Sequence, residues 1–399
     1  MPFNIKLNKN ETILFIIFAL IISTNMLMHD MWRDELQAWM LARYSNNLFE
    51  LFNNIRYESH PSAWHLWLFI ISRFTANPII MQFFQWVSSL ICGFLFIKYS
   101  PLSILHKSLI LFGYFFIFEY NIIARSYSMT LLWLIILCSI WGQRKSPVIS
   151  GIILFIIANT SIHGAIIAGS LMLYFAFSPK ENQWDKKEVQ IFTAITLFGI
   201  FLCFIQLIPP VDRFMPADTF HPSVKSVVTS FSTIWSAISP IPVMDGTKFI
   251  WFQSFAGSKI FQFLLALISF RIVYLILKRQ KVALTSWLIG TGILVIFFAL
   301  IYMGSIRHYG HIYLLLFALI WLIYQKLNQK ELKLLTIIFT MQVIGGIIAS
   351  TSSWIHPFSM GKTVANYINS SSYSGLNVIC AQDFTSSTIV GYLKHPCYY

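Results

Sequence analysis

The sequence predicts an all-α polytopic membrane protein of about eleven transmembrane helices, with further helices on its outer face and a short extracytoplasmic α/β segment at its C-terminus. Three observations carry that expectation. Apolar runs near bilayer-crossing length recur from end to end in a chain of 399 residues that is 57% hydrophobic and 17% aromatic. Segments such as Ile13 to Met28 and Trp287 to Met303 have almost no polar face, which the surface of one large water-surrounded core would need. Charged residues are only 11% of the chain, and lysine and arginine separate by side once the apolar runs are threaded.

The first run, at about 12–28, follows Lys6 and Lys9 and has no small-x-small site at its end, so it is expected to remain as a span. Further spans are expected at about 79–97, 105–119, 128–142, 147–160, 162–177, 190–208, 259–277, 283–303, 310–325 and 333–350. With the N-terminus inside, the cytoplasmic segments carry Lys6 and Lys9; Lys98 and Lys107; Arg144 and Lys145; Lys180, Lys186 and Lys187; Lys278, Arg279 and Lys281; and Lys326, Lys330 and Lys333. That is the positive-inside pattern. The outer side receives Arg33, Arg43, Arg56, Arg73, Arg125, Arg213 and Arg307. Lysine suffices for topology, whereas an arginine fork holds phosphate or carboxylate in a fixed geometry. The competing reading is that these arginines snorkel to headgroups or pair with outer acids. The net charge of +13 is thus accounted for by sidedness, without a nucleic-acid partner.

Pro61 to Asn77 is apolar but short, and counting it as a span would turn the lysine-rich segments outward. It is read as a helix in the outer interface, anchored by Trp64, Trp67 and Arg73. A second interfacial helix is expected at His221 to Ser239, with Val224, Val227, Val228, Phe231, Trp235 and Ile238 on one face and serines, threonines and Lys225 on the other. The chain therefore divides into a transmembrane domain, 1–350, with outer loops at 29–78 and 209–258, and an extracytoplasmic tail, 351–399. In the tail, helices are expected at Met360 to Ser370 and Thr385 to Leu393, with a strand at Leu376 to Ala381 between them. Cys92, Cys138 and Cys203 lie in apolar runs, while Cys380 and Cys397 are free to pair if the tail faces an oxidising compartment. No inverted repeat of the kind common in secondary transporters is visible.

Chemistry concentrates between Met31 and Pro61, where two adjacent carboxylates, three arginines and a His-Pro step lie between apolar runs. Under the threading, distant polar clusters converge on the outer face: Asp34 with Glu35; Glu58 with His60; Glu119 with Arg125 and Tyr127; Arg307 with His308, Tyr309 and His311; and His163. Asp34 opens a helix just past the first span, placed to take a proton from an attacking hydroxyl or simply to cap that helix. Glu35 projects about 100° away and is the weaker catalytic choice. Arg125, Arg307 and His308 stand at span junctions where they can hold a phosphate, or in the case of Arg125 pair with Glu119. Glu58, His60, Tyr127 and His163 are the candidate substrate contacts, with packing as the alternative for His163. His308 and His311, at i and i+3, are a weak metal signal; no metal is required, and a divalent ion is left open. No Walker loop, dinucleotide fingerprint or His-Glu-x-x-His motif occurs, so a transferase here needs a membrane-borne donor.

At these residues the chain resembles the GT-C superfamily of polyprenyl-phosphate-sugar-dependent glycosyltransferases, specifically bacterial members similar to protein O-mannosyltransferases and lipid A aminoarabinose transferases. The resemblance rests on Trp32-Arg33-Asp34-Glu35, Glu58-Ser59-His60-Pro61, Ala124-Arg125-Ser126-Tyr127 and Arg307-His308-Tyr309-Gly310, in that order. It implies an inner-membrane enzyme that moves a sugar from polyprenyl phosphate to an acceptor glycan, lipid or protein. It also implies that Asp34 is the catalytic carboxylate, that Glu58 and His60 are the acidic and basic positions before the family's proline step, and that Arg125 and Arg307 contact the donor phosphate. Two departures stand out: the usual Pro-Pro is Pro61-Ser62 here, and the outer C-terminal segment is short. The rival readings are a transporter or flippase for a lipid-linked glycan, and a non-catalytic membrane scaffold.

Overall fold

The computed structural model describes residues 6–141, 146–178, 183–212, 223–254, 258–370, 376–394 and 397–398. In chain order the helices are α1 (Lys9–Met28), α2 (Arg33–Tyr44), α3 (Leu48–Glu58), α4 (Ala63–Ser72), α5 (Ile79–Tyr99), α6 (Ile104–Leu111), the three-residue α7 (Tyr120–Ile122) and α8 (Ser126–Trp141). They continue as α9 (Pro147–Ala158), α10 (Ile162–Ala176), α11 (Lys186–Gln206), α12 (Val224–Ile238), α13 (Lys259–Leu277), α14 (Lys281–Leu300), α15 (Ile306–Ile323), α16 (Gln329–Ile355), α17 (Gly361–Ser370) and α18 (Asp383–Val390). A π-helical stretch, Phe115–Glu119, runs into α7. The expected features at Arg144, Lys145, Lys180 and Arg213, and the start of the second interfacial helix at His221, lie outside the described residues.

Among the described residues seven helices are long and apolar enough to cross a membrane: α1, α5, α11, α13, α14, α15 with the turn after it, and α16. The expected spans at 105–119, 128–142, 147–160 and 162–177 fall on shorter pieces. The 12 residues of α9 rise about 18 Å, well short of a hydrocarbon core of about 30 Å. Length and apolarity therefore support seven spans, and the finer count of eleven is not carried by them.

These helices are arranged inside out relative to a water-surrounded core. Only 22% of the apolar window of α11 is buried, and Phe198, Phe201 and Phe204 face outward. By contrast, the corresponding window over α15 is 89% buried, so this helix is enclosed by the others. Its far end, at Tyr324, meets His106 at 2.8 Å. Nearby, Lys107 pairs with Glu11 at 2.9 Å and Lys98 Nζ donates to the Lys6 carbonyl, so the early lysines share one end of the bundle. Helix starts at this end are closed by capping boxes, Asn8 with Glu11 and Asn328 with Glu331, which satisfy amides that the apolar run cannot.

One feature settles a face and another was not expected. Helix α12 forms where the amphipathic pattern places it, and Ser226, Ser230, Ser232 and Thr233 of its polar face are buried, with Val224 and Val227 exposed. Ser230 and Ser232 return their hydroxyls to Ser226 O and Val228 O, so the polar face is small and self-satisfied and can pack closely on the bundle. Strands β1 (Pro242–Asp245) and β2 (Lys248–Ser254) form an antiparallel hairpin whose turn contains Gly246 at φ 59°. No strand was expected in this loop.

The tail folds as α17, a strand β3 (Val378–Ile379), α18 and a strand β4 (Cys397–Tyr398) parallel to β3, with Cys380 and Cys397 joined by a disulfide. Helix α18 lies on α2: Ser387 Oγ donates to Arg33 O at 3.3 Å, and a Cβ at Gly391 would press on Leu36.

Candidate active site

Helix α2 begins with a buried carboxylate that acts as a clamp. Glu35 Oε2 accepts from Trp32 N at 3.1 Å and meets His29 Nε2 at 2.9 Å, while Oε1 accepts from Ala124 N at 2.8 Å. One side chain thus ties the end of α1, the first turn of α2 and the strand-like approach to Arg125. With no exposed surface and three partners, Glu35 has no room for an acceptor hydroxyl. Glu35, the weaker catalytic choice from sequence, thus has the geometry of a positioning residue.

One residue earlier, Asp34 points elsewhere. Its Oδ1 accepts from Arg33 Nε at 3.1 Å, and its Oδ2 is shared by the guanidinium groups of Arg125 and of Arg307, the latter at 3.0 Å. Side-chain exposures of 14%, 11% and 10% for Asp34, Arg125 and Arg307 leave the cluster mostly enclosed yet reachable. Burial alone would raise the Asp34 pKa, but Arg125, Arg307 and Arg33 outweigh it and hold the carboxyl well below the usual carboxylate range. Asp34 is therefore ionised.

Both arginines are aimed by neighbours. Arg125 lies over the Tyr127 ring at 5.7 Å, and its Nη2 faces His60 Nε2 at 3.3 Å. Arg307 sits between Trp32, at 5.7 Å, and Trp251 of β2, at 5.1 Å. The Arg307 carbonyl accepts from Tyr120 Oη at 2.6 Å, a contact possible because position 310 is glycine. A Cβ there would overlap the Phe115 ring and that same hydroxyl. His60 follows Ser59, whose left-handed φ of 55° ends α3 and turns the chain inward. Burial first, and Arg125 second, push the His60 pKa down to about 4, so the imidazole is neutral and Nε2 can accept from the guanidinium.

The structure thus brings together Asp34, Arg125, Arg307, His60 and Tyr127. It leaves others aside. Glu58 accepts from Gln37 Nε2 at 2.8 Å. His308, expected at the phosphate, instead turns Nδ1 onto Ser305 N at 2.8 Å and closes the first turn of α15. His163 packs against His311 and His308, with ring centroids 4.8 and 5.2 Å away, beneath Tyr127. Among the described residues no three His, Cys, Asp or Glu side chains are arranged to hold a metal ion. Glu119 does not pair with Arg125; it accepts from Tyr114 Oη at 2.7 Å and from Trp251 Nε1 at 2.8 Å.

Sequence reasoning missed three contributors. Arg33 and Trp32 stood inside the motif without a role, and adjacency to Asp34 was the available signal. Trp251 had none, because it reaches the cluster only through a hairpin more than two hundred residues away along the chain. The chain matches no family model, no curated protein and no solved structure.

Proposed function

We propose that this protein is an inverting glycosyltransferase of a bacterial inner membrane, which moves a sugar from a polyprenyl-phosphate donor to an acceptor hydroxyl on the extracytoplasmic side. In this reading the chain threads eleven times, with a cytoplasmic N-terminus and an extracytoplasmic C-terminus. The observation that carries it is the sharing of one Asp34 oxygen by Arg125 and Arg307 in a mostly enclosed cluster.

A carboxylate held this far below its ordinary range is a poor base while the arginines face it. A donor phosphodiester arriving in the cluster competes for both guanidinium groups, and Asp34 regains basicity as they turn to the phosphate. The acceptor O–H then gives its proton to Asp34 as its oxygen bonds to the anomeric carbon. The bond from that carbon to phosphate oxygen breaks, and its electron pair leaves with the polyprenyl phosphate. Arg125 and Arg307 stabilise the charge that grows on the leaving group, so no general acid is needed. Neutral His60 holds Arg125 without adding a competing charge.

The test uses purified protein in lipid with a panel of radiolabelled polyprenyl-phosphate sugars. Transfer or release of sugar by the wild type is expected, with donor capture weakened in Arg125→Gln and Arg307→Gln. Donor binding without turnover, across the panel and with acceptors supplied, would instead favour the carrier or scaffold readings.

A further inference from the structure

A second polar cavity lies on the other side of α2. It encloses about 590 Å³ between the later turns of α2, the turn leading into α5, and the tail. Arg43, Lys362 and Lys394 line it, together with Trp39, Asn366 and Tyr392. Nine residues separate Asp34 from Arg43 on the helix, which at about 100° per residue places them on opposite faces. The cavity is therefore not part of the Asp34 cluster.

Its charge is one-sided. Lys362 has Asp30 at 3.7 Å, whereas among the described residues neither Arg43 nor Lys394 makes an ion pair. Arg43 is steadied by the Thr75 carbonyl at 3.3 Å and by the Tyr44 ring at 5.8 Å. The opposite wall is fixed by Asn369, which donates to Tyr392 O at 3.1 Å and accepts from Lys394 N at 3.2 Å. Trp39 is 1% exposed, and its buried indole N–H makes no hydrogen bond among the described residues.

The surroundings indicate where an anion would come from. The cavity opens where the apolar helix α5 begins, and next to it Phe74 is 85% exposed, Tyr44 61% and Ile79 45%. Exposed aromatic and apolar side chains beside cations at the start of a span mark the headgroup level of a bilayer.

We propose that this cavity binds the phosphate of an anionic lipid headgroup, with Arg43 and Lys394 as the charged contacts. The site requires only that α5 enters the bilayer here, and it stands whether or not sugar transfer occurs. Binding is measured by native mass spectrometry and thermal melting of the full chain in detergent, titrated with phosphatidylglycerol, phosphatidylcholine or inorganic phosphate. Phosphatidylglycerol is expected to stay bound and raise the melting temperature, with phosphatidylcholine much weaker. The Arg43→Gln/Lys394→Gln variant is expected to lose about tenfold or more in affinity. Since Arg43 also holds Thr75 O, Lys394→Gln alone serves as a second variant and must weaken the lipid while leaving the lipid-free melting temperature unchanged. Equal lipid binding in the variants, or no preference between the two lipids, overturns the site. Stabilisation by inorganic phosphate equal to that by the lipid overturns the headgroup assignment.

Discussion

Asp34 and Glu35 are chemically near-identical neighbours with opposite fates, because one residue of helix turns a side chain by about 100°. Glu35 is enclosed and holds three backbone and ring groups, so Glu35→Ala is expected to cost about 3 kcal/mol, as for other broken buried pairs. Chemical denaturation measures that loss; Glu35→Gln, which keeps an acceptor for Ala124 N, should retain more of the stability. His60 adds a pH dependence. Its folded pKa of about 4 lies below the ordinary 6.5, so between those values the unfolded chain binds a proton that the folded chain does not. Stability therefore falls as pH drops through that window. Asp34, also held below its ordinary value, loses its contribution at still lower pH. Melting temperatures between pH 7 and 5 are expected to fall less steeply in His60→Gln than in the wild type.

Most elements were legible because their signals are local. The long apolar runs, the amphipathic repeat of α12 and the short apolar helix α4 all lie where periodicity puts them. What periodicity could not tell was which face of α12 is buried, since lipid reverses the usual rule and small polar residues pack inward. The β1–β2 hairpin falls in the outer loop 209–258, where only a helix was expected. Two elements converge on α2 to fix Asp34. On one side, α15 approaches closely enough for the Arg307 carbonyl to reach Tyr120 only because residue 310 is glycine. Gly310→Ala is expected to destabilise the fold by about 1 to 3 kcal/mol and to lower turnover as Arg307 shifts. On the other side, α18 packs on α2 within a tail closed by the Cys380–Cys397 disulfide across a separation of 17 residues. Cys380→Ser/Cys397→Ser is expected to cost about 3 kcal/mol by chain entropy, seen as a lower melting temperature that reducing agent also produces in the wild type.

Taken across the molecule, the placement of charge was the most informative part of the sequence. Lys6, Lys98 and Lys107 gather at one end of the bundle, and Asp34, Arg125 and Arg307 at the other. Four short motifs, the first and last about 270 residues apart, thus pointed towards one cluster, although their partners did not follow from sequence: Glu119, the alternative partner considered for Arg125, is held by Tyr114 and Trp251. The proposed sidedness has its own check. Cysteines introduced at the exposed positions Lys330 and Lys394 should react with an impermeant thiol reagent in intact cells only at 394. Labelling of both, or of 330 alone, would reverse or break the threading. The most direct measurement is donor binding and single-turnover sugar transfer in Asp34→Asn against the wild type, in lipid. Retained donor binding with transfer slowed by about 100- to 10,000-fold is expected of a lost general base. Transfer at the wild-type rate in Asp34→Asn would contradict the role given to this carboxylate.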